Sequence, residues 1–396
     1  MNFWDTEPAK PIFDYDVEKE NFIGNMDYLS SMSVEEQTLY KKWVEYNGDL
    51  PSSMKRKAAM APYIDQLWSP TNIMDKDQTI KEIESLDPYV EIVRDSKEST
   101  RWTEIRKLIH TMSFSANPGR NVKLYIKDRV SGKLLGLVSL GSDVTSLGVR
   151  DNYIGWSKEN KFKDGRLNHT TIASTIVCTQ PLGYNFLGGK LVACMCTSPI
   201  VRNHWKEKYG QELIAVGTTS LYGIHSQYNG IPHYKTLGES AGKVATKPDD
   251  KYYDVWHQWL KEHKSEDYIK TTTQKEGIEG PVSGVKQRIL SMIFKELGIK
   301  STHYQHGFKR GVYFAMMYDN GNEFLQNKID ESQLKMKKKF TEGDEYTMKW
   351  WKPKAIRRYA KLFDEGRIKP EPLFYLDIIG MSWEKAKETY LKEVGR

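Results

Sequence analysis

Cysteine is scarce: the 396-residue chain has three, Cys178, Cys194 and Cys196. So odd and sparse a set excludes a disulfide framework and suits a reducing compartment, and a cytoplasmic location is expected. The chain also lacks any apolar run near the ~18 residues that a membrane-spanning helix needs. Its opening, Met1-Asn2-Phe3-Trp4-Asp5, has neither the basic nor the apolar part of a secretory leader. No internal repeat is visible. Metal-ligating patterns are incomplete. His303-x-x-His306 has no nearby carboxylate or thiolate, and Cys194-x-Cys196 lies in an apolar helical run, so no metal is expected.

What remains is a globular composition, 39% hydrophobic and 28% charged, with room for two or three domains. The net charge of +7 is concentrated. Between Lys335 and Lys369 there are twelve Lys/Arg against five Asp/Glu, a surplus that equals the whole imbalance. Aromatics interleave these cations, in Lys349-Trp350-Trp351-Lys352-Pro353-Lys354 and Arg357-Arg358-Tyr359. Cations offset phosphate charge and rings stack on bases, so the segment reads as a nucleic-acid surface, with Lys352, Arg357 and Arg358 as contacts. A solvated helix face behind a docked apolar stripe reads equally well.

Residues 1–98 read as a helical accessory region, with Ser33 and Glu36 forming a capping box. Asp14, Asp16 and Glu18 lie there without a partner strand and are not read as a carboxylate site. A helix is expected from about 101 to 112. Strands follow at Val122–Lys127, Leu134–Leu140, Thr171–Val177 and Leu213–Thr218. The fold class is therefore α/β (α+β), with 99–243 as core, 244–282 as polar linker or clamp, and 283–396 as a C-terminal region with a basic, aromatic-rich tail. A strand is expected over His303–Met317.

The most specific local feature is Thr179–Lys190, a glycine-rich turn between an apolar strand and an apolar helix expected from about 185 to 196. Backbone N–H groups at such a turn can hold a phosphate or pyrophosphate. Packing alone also explains glycines there.

Several blocks carry a family likeness: Lys133-Leu134-Leu135-Gly136 with Gly141-Ser142, Arg150-Asp151 before Ile154-Gly155-Trp156-Ser157, Leu187-Gly188-Gly189-Lys190-Leu191, Trp205–Gly210, and Tyr234-x-x-Leu237-Gly238-Glu239-Ser240-Ala241-Gly242. From about 101 to 243 the chain resembles the DruA family of anti-phage defence proteins, which are similar to phage Mom-type DNA-modifying enzymes and to the GNAT N-acyltransferase superfamily. The resemblance implies a GNAT-like twisted mixed sheet with flanking helices, whose fourth and fifth strands splay around acetyl-CoA or a related acyl donor. Gln180, Gly183, Tyr184, Asn185, Gly188, Gly189 and Lys190 would then form the cofactor turn. The chain departs from the usual Gln/Arg-x-x-Gly-x-Gly/Ala signature in having Tyr184-Asn185 after Gly183, and it lacks the acid that Mom-type enzymes carry after the fifth strand.

For acyl transfer to a base amine, His233 or His225 would serve as base, Tyr228 or Tyr234 as acid, and the Ser220 hydroxyl as a substrate contact. Glu239 is the nearest carboxylate. The bland alternatives are a surface His233 beside Pro232 and a packed Tyr234. Arg150, Trp156, Arg166, Asn168 and His169 form a polar, aromatic loop suited to holding a base, or else a cap on the sheet edge. Lys309 and Arg310 add charge to the nucleic-acid surface. The implied setting is a bacterial or phage-infected cell, the implied partners are DNA and proteins of a defence system, and no membrane partner is expected. Three readings stand: a DNA base-modifying acyltransferase, a DNA-binding subunit without catalysis, or an acyltransferase acting on protein or small molecules with a merely structural basic tail.

Overall fold

A computed structural model describes residues 13–49, 57–116, 119–224, 226–242, 246–273, 284–305, 307–371 and 376–394. Two compact units emerge, one formed by Met1–Gln37 with Gly242–Phe308, the other by Thr38–Ala241 with Lys309–Arg396. Among the described residues no helix is long and apolar enough to cross a membrane, and no group of three His, Cys, Asp or Glu is placed to hold a metal.

The smaller unit is helical. Tyr15–Ser30, Asp250–His263, Ser265–Thr272 and Val285–Glu296 are its longer helices. Trp256 and Leu260, and Ile289 and Ile293, recur at a spacing of four, so each pair faces one side. They close a core with Phe22, Met26 and Phe294. Asn25 and Asp249 exchange two hydrogen bonds, of 2.9 and 3.0 Å. The stretch divided off as a linker therefore contributes helices to a packed core. Asp14 caps the first helix, accepting from the N–H groups of Asp16 and Val17.

The larger unit holds a seven-stranded sheet: β1 Pro88–Ile92, β2 Asn121–Asp128, β3 Leu134–Ser142, β4 Thr170–Cys178, β5 Ala215–Ser220, β6 Lys235–Glu239 and β7 Gly311–Met316. Their order is β1-β2-β3-β4-β5-β7-β6. Every neighbouring pair is antiparallel except β4 and β5. Those two pair only from Thr170 with Ala215 to Ile172 with Gly217, so the rest of β4 runs on without β5 beside it. On its other side β4 bulges, because Ser139 opposes Thr175 and Leu140 opposes Ala173, with the exposed Ser174 as the extra residue.

Alternation decides what covers each face. Leu124, Val138 and Leu140 pack with Leu191, Val192 and Trp205 of the helices Gly188–Met195 and Pro199–Tyr209. Tyr125, Leu137 and Val177 pack with Trp102 and Ile105 of the helix Ser96–Ile109. The helix Asp344–Asp364 buries Trp351, Ala355, Tyr359 and Leu362 along one stripe.

Three local expectations are corrected. The helix expected over 185–196 is two helices, Leu182–Phe186 and Gly188–Met195, because Leu187 takes a left-handed φ of 55° between them. Among the described residues of the stretch 303–317 only Gly311–Met316 is strand, and Ser301–Tyr304 is a 3-10 turn. Strand β1 lies inside the region read as helical, and β7 from the C-terminal region runs between β5 and β6. Both strands owe their place to pairing with distant segments, which local periodicity does not record.

Candidate functional site

The turn after β4 is built tightly from its own groups. Gly183 N–H donates to Thr179 O at 2.8 Å, Tyr184 N–H to Gln180 Oε1 at 3.0 Å, and Asn185 N–H to Pro181 O at 3.2 Å. A Cβ on Gly188 would stand 2.3 Å from Cys178 Sγ, and one on Gly189 would stand 2.2 Å from Gln227 Oε1. The glycines thus permit close packing against β4 and against the loop between β5 and β6. Lys190 Nζ donates to the carbonyls of Gln227, at 2.9 Å, and Asn229.

Asn185 is buried and exchanges two hydrogen bonds with the Lys369 backbone. Phe186 stacks on Tyr359 at 5.0 Å. Over the Tyr184 ring stand two cations, the Arg358 guanidinium at 5.3 Å and the Lys369 ammonium at 4.9 Å. The seven residues assigned to a cofactor turn are therefore together, but Gly183, Tyr184 and Asn185 have already spent the N–H groups that would receive a pyrophosphate. Those three groups are engaged within the turn itself.

The four residues assigned to catalysis do not form one constellation. Tyr228 and Tyr234 lie 6.2 Å apart, and Tyr228 lies 5.2 Å from Tyr313. Burial pushes the Tyr228 phenol up to about 12, and burial also raises Tyr234, whose hydroxyl donates to Ala193 O at 3.2 Å. Neither phenol ionises near neutrality. His233 turns elsewhere, with Nε2 3.3 Å from Thr347 Oγ1 and its ring against Phe340 and Tyr346. Burial first, then the Lys339 charge, lower its pKa to about 4, so it is a weak base. It is buried, not the surface residue its neighbour Pro232 suggested. Ser220 ends β5 and accepts from Tyr222 N–H at 3.2 Å. Glu239 ends β6, exposed. His225 and His306 lie outside the described residues. Cys194 and Cys196 are buried, and burial raises the Cys196 thiol to about 12.

The loop cluster assigned to base recognition is occupied by internal bonds. Arg150, 1% exposed, reaches Asp143 and Asp151 at 2.6 Å each, and Lys161 reaches the other Asp151 oxygen at 2.6 Å. Thr170 completes the Asp143 shell at 2.7 Å. Trp156 Nε1 donates to Leu325 O at 2.6 Å. Arg166 donates to Asn327 Oδ1 at 2.6 Å and lies 4.0 Å over Phe324. His169 bonds Glu212 O at 2.8 Å and is buried. Asn168 is exposed, and its carbonyl accepts from Arg120 at 2.9 Å. This cluster ties the loop before β4 to the segment after β7.

The basic helix Asp344–Asp364 is divided. Lys349 and Lys361 pair with Glu345 and Glu365, and Lys352 donates to Glu84 O at 2.6 Å. Lys354 and Arg357 are exposed, and among the described residues no carboxylate pairs with them. Lys309 and Arg310 are exposed, with the Arg310 backbone paired to Ser240. Sequence reading missed the Ser174 bulge, the Asp143–Lys161 shell, and a cavity of about 390 Å³ at Lys337–Lys339. Only the last had a signal, the run Lys337-Lys338-Lys339.

A family model described as Druantia protein DruA matches residues 48–327. The chain is 26% identical over 295 residues to a curated Druantia protein DruA of Escherichia coli (strain UMEA 4076-1), an alignment covering 69% of this chain and 70% of that protein. No solved structure matches.

Proposed function

From the chain's membership of the Druantia protein DruA family, we propose that it serves anti-phage defence as a DNA-binding subunit, acting with protein partners on a GNAT-like sheet without an acyl-CoA on its glycine turn. The observation that carries this reading is the outward row of the helix Asp344–Asp364, where Lys354 and Arg357 are exposed without carboxylate partners. The helix is fixed by its buried Trp351, Ala355, Tyr359 and Leu362, so the row is presented on a rigid element. Arg358 and Lys369 over the Tyr184 ring extend it. Unpaired cations of this kind gain most from phosphate neutralisation and counterion release.

The test is duplex DNA binding as a function of salt for the full chain and for Lys354→Gln with Arg357→Gln. The double variant should bind more weakly, with a log–log salt slope shallower by about 2 units. An unchanged slope sinks this reading.

A DNA base-modifying acyltransferase is the second reading. It is favoured by the order β1-β2-β3-β4-β5-β7-β6, the brief parallel pairing of β4 with β5, and the exposed Ser174 bulge beside it. These support a GNAT-like fold. The engaged N–H groups of the turn and the low pKa of His233 weigh against the chemistry.

A further inference from the structure

The cavity of about 390 Å³ lined by Lys337, Lys338, Lys339, Glu342 and Tyr346 belongs to neither reading above. Its cations are placed by the backbone. Lys337 Nζ donates to Met316 O, the last residue of β7, at 2.9 Å, and Lys339 Nζ donates to Pro232 O. An ammonium has three N–H groups, so each anchored lysine keeps two for a ligand. Lys338 is 90% exposed and lies 3.5 Å from Glu342. Tyr346 supplies an aromatic wall, itself packed on His233.

The Lys337 and Lys339 ammonium groups repel each other. Burial first, then Lys339, lower the Lys337 pKa; Asp319 opposes them, and Lys235 adds a smaller lowering effect. Burial likewise lowers Lys339. An anion in the cavity relieves this repulsion.

We propose that the cavity at Lys337, Lys338 and Lys339 binds a phosphomonoester. Charge selects that class. Three ammonium groups and the Glu342 carboxylate leave two net positive charges. A phosphomonoester carries about −1.5 to −2 at neutral pH and presents three acceptor oxygens, which matches both the charge and the donors. An internal phosphodiester, with one negative charge and two free oxygens, matches neither. A free nucleotide and the 5′-phosphorylated end of a nucleic acid share this chemistry. The site is independent of the Lys354 and Arg357 row.

The experiment is isothermal titration of the full chain with AMP, and separately with a short oligonucleotide bearing either a 5′-phosphate or a 5′-hydroxyl. Saturable AMP binding with no adenosine binding is expected. Lys337→Gln with Lys339→Gln should abolish it. The exposed Lys338→Gln should weaken it about tenfold, the value of one charge-assisted hydrogen bond, and Glu342→Gln should tighten it. A 5′-phosphate preference in the oligonucleotide assigns the ligand to nucleic-acid ends, and AMP binding alone assigns it to a free nucleotide. No saturable AMP binding, or binding indifferent to both Lys338→Gln and Glu342→Gln, overturns the site. DNA binding at the helix row can persist in that case, so the two failures are distinguishable.

Discussion

Asn185 and Lys369 hold each other by two hydrogen bonds, Asn185 Nδ2 donating to Lys369 O at 2.7 Å and Lys369 N–H donating to Asn185 Oδ1 at 3.0 Å. An amide side chain mimics a backbone partner here, so the segment after the basic helix is fastened to the turn after β4. Asn185→Ala leaves a donor and an acceptor without partners where water has little access. A loss of about 1–3 kcal/mol is expected in urea unfolding. Faster amide hydrogen exchange at Lys369 should accompany it. Stability within error of the parent would show the clasp to be incidental.

Acetyl-CoA should not stabilise the chain. The N–H groups of Gly183, Tyr184 and Asn185 already have acceptors within the turn, so a pyrophosphate would have to displace them. A ligand at a hundredfold excess over its dissociation constant stabilises a protein by about 2.7 kcal/mol. Thermal unfolding with and without acetyl-CoA and CoA should therefore coincide. A saturable rise in Tm would restore the acyltransferase reading to first place.

His233 gives the stability a pH dependence of defined sign. Its folded pKa is about 4 against an ordinary 6.5, lowered by burial and then by Lys339. The unfolded chain thus binds the proton more readily between those values. The neutral ring's contribution is complete above pH 6.5 and is lost as pH falls toward 4, by at most about 3 kcal/mol. Urea midpoints at pH 7, 5.5 and 4 should show that fall, and His233→Gln, which cannot titrate, should flatten it. An equal fall in the variant assigns the acid sensitivity to other groups.

The Arg150 shell should be among the costliest sites to break. Asp143 and Arg150 are each about 1% exposed in their side chains, and Asp151 depends on Arg150 and Lys161. Arg150→Met strands Asp143 without a cation, and breaking buried pairs one-sidedly costs about 3–5 kcal/mol. Arg150→Lys recovers little, since one ammonium cannot span both carboxylates. Guanidinium unfolding measures both. A mild effect of either variant would mean that water reaches Asp143.

The sequence carried much of this architecture and less of the site. β2, β3, β4 and β5 stand out by alternation or continuous apolar runs bounded by turns. β7 was legible as a strand but not its place between β5 and β6, and β1 was not legible at all, because pairing with distant strands leaves no local trace. The glycine turn was legible as a turn, yet its partners Gln227 and the Lys369 backbone are tertiary. Arg150 and Trp156 illustrate the same limit. Side chains suited to a base are equally suited to an internal ion shell, and only the nearness of Asp143 and Leu325 O distinguishes the two uses.

Gly188 supplies the sharpest test of what the turn is for. A cofactor role requires backbone approach to a ligand. The observed role is approach to the protein itself, since a Cβ there would lie 2.3 Å from Cys178 Sγ and 2.7 Å from Leu182 Cγ. Neither neighbour is the loose end of a flexible chain, so Gly188→Ala forces the helix Gly188–Met195 away from β4. Overpacking of this kind costs about 1–3 kcal/mol. If close packing is the reason for the glycine, Gly188→Ala combined with Cys178→Ala should recover part of the loss, because the sulfur is the nearest obstruction. DNA affinity at a temperature where both variants are folded should match the parent. A Gly188→Ala chain of normal stability with altered ligand binding would instead return the turn to a binding role.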